Sequence, residues 1–197
     1  MSRNQDRLGG VQQPDTSPPP QQGGGGFSFV VPTEFVDLPS QGRFYPEGHP
    51  LHGQDSIEIK QMTAKEEDIL TSRTLLKKGV ALERLISSLI VNTAIDPRTL
   101  LIGDRNAIIV AARVSGYGSD YSTKVQCPAC GTSQTYTFNL HSAHVYHGED
   151  NENLRAKINA NGTITCRLPK TQVEVVAKLL TGRDEKSITS IVKSDNQ

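Results

Sequence analysis

The sequence has no tryptophan, and phenylalanine and tyrosine together make up only 5% of its 197 residues. This small aromatic content favours a core that gains part of its stability from partners. Neither charge is in excess, because 21 Lys and Arg residues balance 21 Asp and Glu residues. A general nucleic-acid binder usually carries a basic excess, since phosphate contacts dominate its affinity. The balanced charge therefore argues against nucleic acid as a partner.

Long hydrophobic runs are absent as well. The longest apolar stretches, "LISSLIV" and "AIIVAARV", are much shorter than the roughly 20 residues that a membrane-spanning helix needs. The N-terminal "MSRNQDRLGG" has no hydrophobic segment of the kind found in secretory signals. The three cysteines cannot all pair within the chain. These observations argue against a membrane partner and predict synthesis in a reducing cytoplasm.

Sequence motifs typical of common enzymes are also missing. There is no Walker motif and no "GxSxG", and "GYGSDY" does not open a helix after a strand as a dinucleotide fingerprint does. We therefore expect no enzymatic activity and no organic cofactor.

The first 26 residues have low complexity. The stretch "QQPDTSPPPQQGGGG" is built mainly from Gln, Pro and Gly. It cannot bury enough apolar area to offset the entropy lost on ordering. We expect residues 1–26 to be a disordered tail, either a simple spacer or a tether that orders on a partner.

Residues 27–62 read as an extended arm followed by a strand. Half of the ten aromatic residues lie near its start, within "FSFVVPTEFVDLPSQGRFY". Pro and Gly punctuate the arm with turns. Such an arm either wraps its own core or inserts into a neighbour, and the second alternative makes its aromatic residues candidates for an interface. They are Phe27, Phe29, Phe35, Phe44 and Tyr45.

Residues 63–116 are predicted to be helical. A capping box of Thr63 and Glu66 begins a helix that should end near residue 76. The next helix, "ALERLISSLIVNTA", places an apolar face that includes Leu82 toward the core. A third helix is expected to begin at Asp104, with Asp104 as a cap or an ion-pair partner.

Residues 117–197 are predicted to be rich in β-strands. "SDYSTKVQ" and "SQTYTFNL" alternate with period two around the turn "CPACG", which indicates a hairpin. "GTITCRLP" and "TQVEVVAKLL" predict a second strand pair, a loop precedes it, and a polar helix over 184–193 follows. The fold class is therefore α+β, with a helical half before a β-rich half that contains a zinc-ribbon-like hairpin.

The "CPACG" turn is half of a zinc knuckle. Cys127 and Cys130 have the spacing of a ligand pair, but a closed structural zinc site needs four ligands. Cys166 is the candidate third ligand. The fourth would come from another chain or from the histidines of "HSAHVYH", which are His141, His144 and His147. The alternatives are a metal-free turn and solvated histidines.

The end of the third helix offers a second interface candidate. Arg113 lies just before "SGYGSDY", where glycines allow close backbone approach. Tyr117 and Tyr121 in this loop provide the amphipathic contact area favoured at interfaces. We predict that Arg113, Tyr117 and Tyr121 form a partner-binding edge, the alternative being a purely structural ion pair.

The order of several motifs resembles the baseplate hub proteins of T-even-type contractile-tailed phages. These motifs are "DLPSQGRFYPEG", "IEIKQMTAKEEDIL", "LLIGDRNAIIVAARVSGYGSDY", "CPACG", "TYTFNL", "CRLP" and "LLTGRDE". The resemblance spans Phe27 to Ile191. The positions that match are carried over as fold and interface candidates: Leu38, Pro39, Gly42, Tyr45, Glu66, Glu67, Gly103, Asp104, Arg105, Arg113, Gly116, Tyr117, Gly118, Tyr121, Cys127, Cys130, Gly131, Leu168 and Pro169.

The resemblance implies a virion protein that acts by binding other baseplate or tail proteins in an oligomeric assembly. It would be located at the hub or at the junction of hub and wedges, and no enzyme activity is implied. The alternative is a zinc-ribbon-like module that binds nucleic acid or a transcription partner, which would hold stoichiometric zinc.

Overall fold

The structure is a computed structural model, and it describes residues 31–145 and 156–194. The predicted tail of residues 1–26, together with Phe27, Phe29 and His147, lies outside the described residues.

The first described elements are two antiparallel strands, β1 (Thr33–Asp37) and β2 (Ser56–Lys60). Val36 pairs with Ile57, and both side chains are buried, as is that of Ile59. Ile57 and Ile59 are buried together because apolar and polar residues alternate in "SIEIK" and successive side chains of a strand point to opposite faces.

The segment that joins the two strands covers the core of its own chain. Leu38, Tyr45 and Leu51 are each 2% exposed or less. Gly42 has a φ of +68°, and a Cβ there would lie 2.4 Å from the backbone nitrogen of Gln54. Only glycine fits this close approach. From residue 31 onward the arm therefore wraps its own core, as the first of the two alternatives predicted.

A helical region follows, and its first predicted helix is divided in two. The helices are α1 (Ala64–Thr71) and α2 (Arg73–Lys77), with Ser72 in an extended conformation between them. The Thr71 hydroxyl donates to the carbonyl of Glu67 at 3.0 Å. Side-chain hydroxyls that bond to nearby backbone in this way compete with helix propagation.

The predicted capping box is present at the start of α1. The Glu66 carboxylate accepts hydrogen bonds from the backbone N–H and the hydroxyl of Thr63. It also accepts one from the Ser88 hydroxyl at 2.6 Å. Burial raises the pKa of Glu66, but these hydrogen bonds outweigh burial and hold it below the ordinary value.

Helix α3 (Ala81–Leu89) is five residues shorter than "ALERLISSLIVNTA" predicted. Ile90 leaves the helix to form a β-bridge with Ile59. The β-branched pair Ile90 and Val91 thereby extends the β1–β2 sheet, which suits its strand propensity. Leu82 was predicted on the buried face but is 42% exposed.

Helix α4 (Ile102–Tyr117) follows a short 3-10 turn at Pro97–Thr99. It begins two residues earlier than predicted, so Asp104 is the third residue of the helix and not its first. Asp104 is completely buried. The prediction of Asp104 as a cap or ion-pair partner was therefore wrong, because its side chain bonds to the arm.

The remaining elements form two small antiparallel sheets and a helix. A third strand joins the predicted second pair, within a region that was expected to be a loop. The elements are β3 (Asp120–Gln126), β4 (Ser133–Asn139), β5 (Lys157–Ile158), β6 (Thr163–Arg167), β7 (Glu174–Lys178) and α5 (Gly182–Ser194). The architecture is mixed α and β, as predicted, and the expected hairpin is present. Its zinc-ribbon character remains a prediction.

All buried hydrophobic residues among those described lie between Val36 and Ala112. The β-rich second half is attached to residues 36–112 by backbone contacts and by ion pairs such as that of Arg105 with Glu185. Ile102 N–H donates to the carbonyl of Leu180 at 3.0 Å. Gly162 packs so tightly that a Cβ would lie 2.3 Å from the carbonyl oxygen of Phe44.

In the part of the chain that the structure describes, each helix is too short or too polar to cross a bilayer.

Candidate functional site

A buried polar network fixes α4, the helix from which the candidate site extends. The Asp104 carboxylate accepts hydrogen bonds from the backbone N–H of Ser40 at 2.9 Å and from its hydroxyl at 2.6 Å. It accepts a third from the Tyr45 hydroxyl at 2.8 Å. The Tyr45 oxygen in turn accepts from the Leu101 N–H at 3.1 Å. Every partner of Asp104 named here comes from the arm, so the network joins arm and helix.

Burial, with a smaller effect of the Asp104 charge, raises the pKa of Tyr45 well above its usual range. Its hydroxyl therefore stays protonated and donates to Asp104. The ring of Tyr45 also stacks on His49 with centroids 4.4 Å apart.

Arg113 connects the end of α4 to the hairpin that follows. Its guanidinium donates to the carbonyls of Gly118 at 2.9 Å and Asp120 at 3.3 Å. The same group lies 5.1 Å from the ring centroid of Tyr117 and 5.9 Å from that of Tyr121. Carbonyl contacts and cation–π contacts together fix the direction in which the hairpin leaves the helix. The structure thus brings Arg113, Tyr117 and Tyr121 together.

One face of the hairpin is aromatic. Tyr121 pairs with Phe138, and Thr123 pairs with Tyr136, so these side chains share a face. Tyr136 and Phe138 meet edge to face with centroids 4.6 Å apart. The three aromatic side chains are 43–53% exposed. We call Tyr121, Val125, Tyr136 and Phe138 the aromatic face.

A shallow groove of about 350 Å³ lies beside the aromatic face. Its far wall is the turn after β4, including Leu140 and Ala143. A larger groove of about 570 Å³ lies between β1 and α4. Phe35 lines this second groove and is 72% exposed, and Val110 on α4 is 40% exposed. The larger groove has the more apolar lining, and polar residues such as Asn139 share the lining of the smaller one.

The tip of the hairpin carries the two cysteines of the half knuckle. Gly131, with a φ of +72°, donates its N–H to the carbonyl of Cys127 at 2.9 Å. The Cys130 thiol donates to the Thr132 hydroxyl at 3.3 Å. In the thiolate form that hydroxyl donates back. This hydrogen bond lowers the pKa of Cys130, and the Thr132 N–H and the Cys127 thiol lower it further. Cys130 is exposed and Cys127 is half-buried.

The predicted three-cysteine set is not assembled in this structure. Cys166 lies on β6, where it pairs with Val175 in a different sheet from the hairpin. Across residues 31–145 and 156–194, no three His, Cys, Asp or Glu side chains are grouped so as to hold a metal ion. His141 and His144 therefore do not complete a site with the Cys127–Cys130 pair.

The aromatic residues of the arm have different surroundings. Phe35 is the most exposed large hydrophobic residue on the described surface. Phe44 is half-buried and packs against the core. Tyr45 is 2% exposed, so it is not available to a partner, because it holds the polar network inside the chain.

Tyr136 and Phe138 were not among the predicted interface residues. The alternation in "TYTFN" placed both on one face of a strand, but it did not show which face would stay uncovered. The register sets Phe138 opposite Tyr121, and all seven residues of β4 are exposed.

Comparison with known proteins identifies a family. Neither curated proteins nor solved structures include a match to this chain. A family model described as "T4 bacteriophage base plate protein" matches residues 32–197. This range covers every described element, including the polar network, the aromatic face and the half knuckle. The chain therefore belongs to the T4 bacteriophage base plate protein family.

Proposed function

We propose that the chain is a subunit of the baseplate hub, or of the junction between hub and wedges, in a contractile-tailed phage. It acts by protein–protein binding and fixes the geometry of its neighbours. Family membership makes it a structural component of a phage baseplate. The binding role and the position within the baseplate belong to the proposal.

The observation that carries the proposal is the uneven distribution of apolar surface. Seventeen large hydrophobic side chains are exposed in the described residues, and thirteen of them follow residue 116. No buried hydrophobic side chain follows Ala112 among the residues described. A sheet or helix is stable when its apolar side packs against another layer. Within the described chain the second half lacks such a layer, and a neighbouring subunit would provide it.

The aromatic face is the part of this surface that we assign to direct contact. A partner that covers the exposed half of each ring would remove it from water, which stabilises the complex by about 1 kcal/mol per ring. Arg113 holds the hairpin in one direction, so less conformational entropy is lost on binding.

Position in the particle is tested by fractionation. Tails of the phage that encodes this chain are disrupted, and hub and wedge fractions are analysed by quantitative mass spectrometry. We expect the chain at a fixed integer ratio to hub proteins, with crosslinks from Lys124 of the hairpin to a neighbour. Recovery only in free wedges, or only in the soluble pool, would contradict the proposal.

The binding surface is tested by a pair of variants on one strand. Tyr136→Thr with Phe138→Thr keeps strand propensity but removes two rings, so binding to the neighbour should weaken by about 2 kcal/mol, or about thirtyfold. The matched control is Thr135→Ser, because Thr135 pairs with Lys124 on the opposite face of the hairpin. The assignment fails if the double variant binds as tightly as this control while both remain folded.

A further inference from the structure

We propose that the half knuckle at the hairpin tip binds zinc together with the half knuckle of a second copy of this chain. Two copies of Cys127 and Cys130 would then form one tetrahedral site of four thiolates between two hairpins. This site lies outside the contact surface proposed above and does not depend on the chain's place in the baseplate.

The first argument is the turn that carries the two cysteines. Cys127 and Cys130 lie in one tight turn that is followed by Gly131 with a φ of +72°, which is the form of a zinc-knuckle ligand pair. The turn is held by the Gly131 N–H on the Cys127 carbonyl, by the Cys127 N–H on the Thr132 carbonyl at 2.9 Å, and by the Gln126 side chain. The pair is therefore positioned before any metal arrives.

The second argument is that the described residues of one chain supply only half of a site. Cys166 lies in another sheet, and no third His, Cys, Asp or Glu among the residues described joins the pair. Closed structural zinc sites have four ligands. Cys130 is exposed at the end of two seven-residue strands, so the missing ligands can approach from outside.

The third argument concerns which molecule supplies them. A two-fold contact between identical copies presents the same patch from both sides, so a second hairpin tip supplies the two missing thiolates without any further ligand type. Zinc with four thiolates carries a charge of −2. Lys124 is the only charged residue from Tyr121 to Phe138, and it is exposed. Two copies of Lys124 match that charge, and the one acidic residue of the hairpin, Asp120, lies at the other end of β3 from the tip.

The test uses the full chain, purified under a non-thiol reductant and loaded with zinc. Bound zinc is measured by elemental analysis, and molecular mass by light scattering, before and after a chelator. We expect half a zinc ion per chain, a doubled mass that the chelator reverses, and a Co²⁺ spectrum of four-thiolate tetrahedral coordination.

Two single variants make the test specific. Cys130→Ser should lose both the metal and the zinc-dependent doubling of mass, and circular dichroism checks that this exposed substitution leaves the fold intact. Cys166→Ser is the matched control and should keep both. One zinc per monomeric chain, no retained zinc, a doubled mass in Cys130→Ser, or equal loss of metal in Cys166→Ser would each overturn the proposal.

Discussion

The buried network around Asp104 makes a quantitative prediction about how the arm is held. Tyr45→Phe removes the 2.8 Å hydrogen bond to the carboxylate and leaves the Leu101 N–H without its acceptor. A hydrogen bond to a charged group contributes about 1.5–3 kcal/mol, and an unsatisfied buried donor costs about 1–3 kcal/mol. We expect Tyr45→Phe to lower the free energy of unfolding by about 3 kcal/mol.

Asp104→Ala should lower the free energy of unfolding further, because it leaves three donors without an acceptor. They are the N–H and hydroxyl of Ser40 and the hydroxyl of Tyr45. Since the hydroxyls can partly reorient, we expect a loss of about 4 kcal/mol. The double variant loses the bond between residues 45 and 104 only once. Its free energy of unfolding should therefore fall by about 5 kcal/mol, which is about 2 kcal/mol less than the sum for the two single variants. That difference is the coupling energy.

Urea unfolding followed by circular dichroism measures these values by linear extrapolation. The double variant approaches the total stability of a small protein, so the cycle is repeated in sucrose, which favours the folded state. Tyr117→Phe is the control, because Tyr117 is 48% exposed, and it should stay within 0.5 kcal/mol of the parent, as is usual at the surface. A coupling below about 0.5 kcal/mol would refute the assignment of arm and helix to one network.

Three further predictions concern the core, the capping box and the hairpin. Gly42→Ala should destabilise by more than about 3 kcal/mol, because its Cβ would clash with backbone. Gly53→Ala has the same φ of +68° but open space around it, so in the same urea assay it should cost only about 1 kcal/mol. The lowered pKa of Glu66 means that its contribution is complete above the ordinary value of about 4.5 and is lost as the pH falls through the lower folded value. The melting temperature of Glu66→Gln should therefore fall less steeply below pH 4.5 than that of the parent, and parallel curves would contradict this. Arg113→Ala should speed amide exchange in residues 120–139 while leaving α3 protected, since it removes contacts worth about 1 kcal/mol at the hairpin base.

Local pattern was enough to predict several elements. The alternation around "CPACG" predicted β3 and β4, and the Thr63–Glu66 pair predicted where α1 begins. Both signals depend on residues close together in sequence. The breaks at Ser72 and Ile90 were both missed, and the second is decided by a bond to another element. For Ile90 that bond reaches back to Ile59.

The candidate site was predicted only where its residues are neighbours in sequence. Arg113, Tyr117 and Tyr121 lie within nine positions, so one turn of helix and a glycine loop bring them together. The pairing of Asp104 with Tyr45 spans 59 residues, and no local pattern encodes it. The same limit explains the choice of Cys166 as a third ligand, because spacing along the chain says nothing about which sheet β6 joins.

The distribution of burial links the fold to the proposed role. Strands β3 to β7 pair with one another within the chain, so these elements can form before assembly. Their side chains remain exposed on at least one side, so what they lack is packing. Packing supplied by a neighbour would stabilise the second half only when the correct neighbour is present. A baseplate protein built in this way has a preformed core in residues 36–112 that holds the arm and α4 in place. The stability of its hairpin then depends on assembly, and amide exchange in residues 120–139 should slow markedly on incorporation while the core changes little.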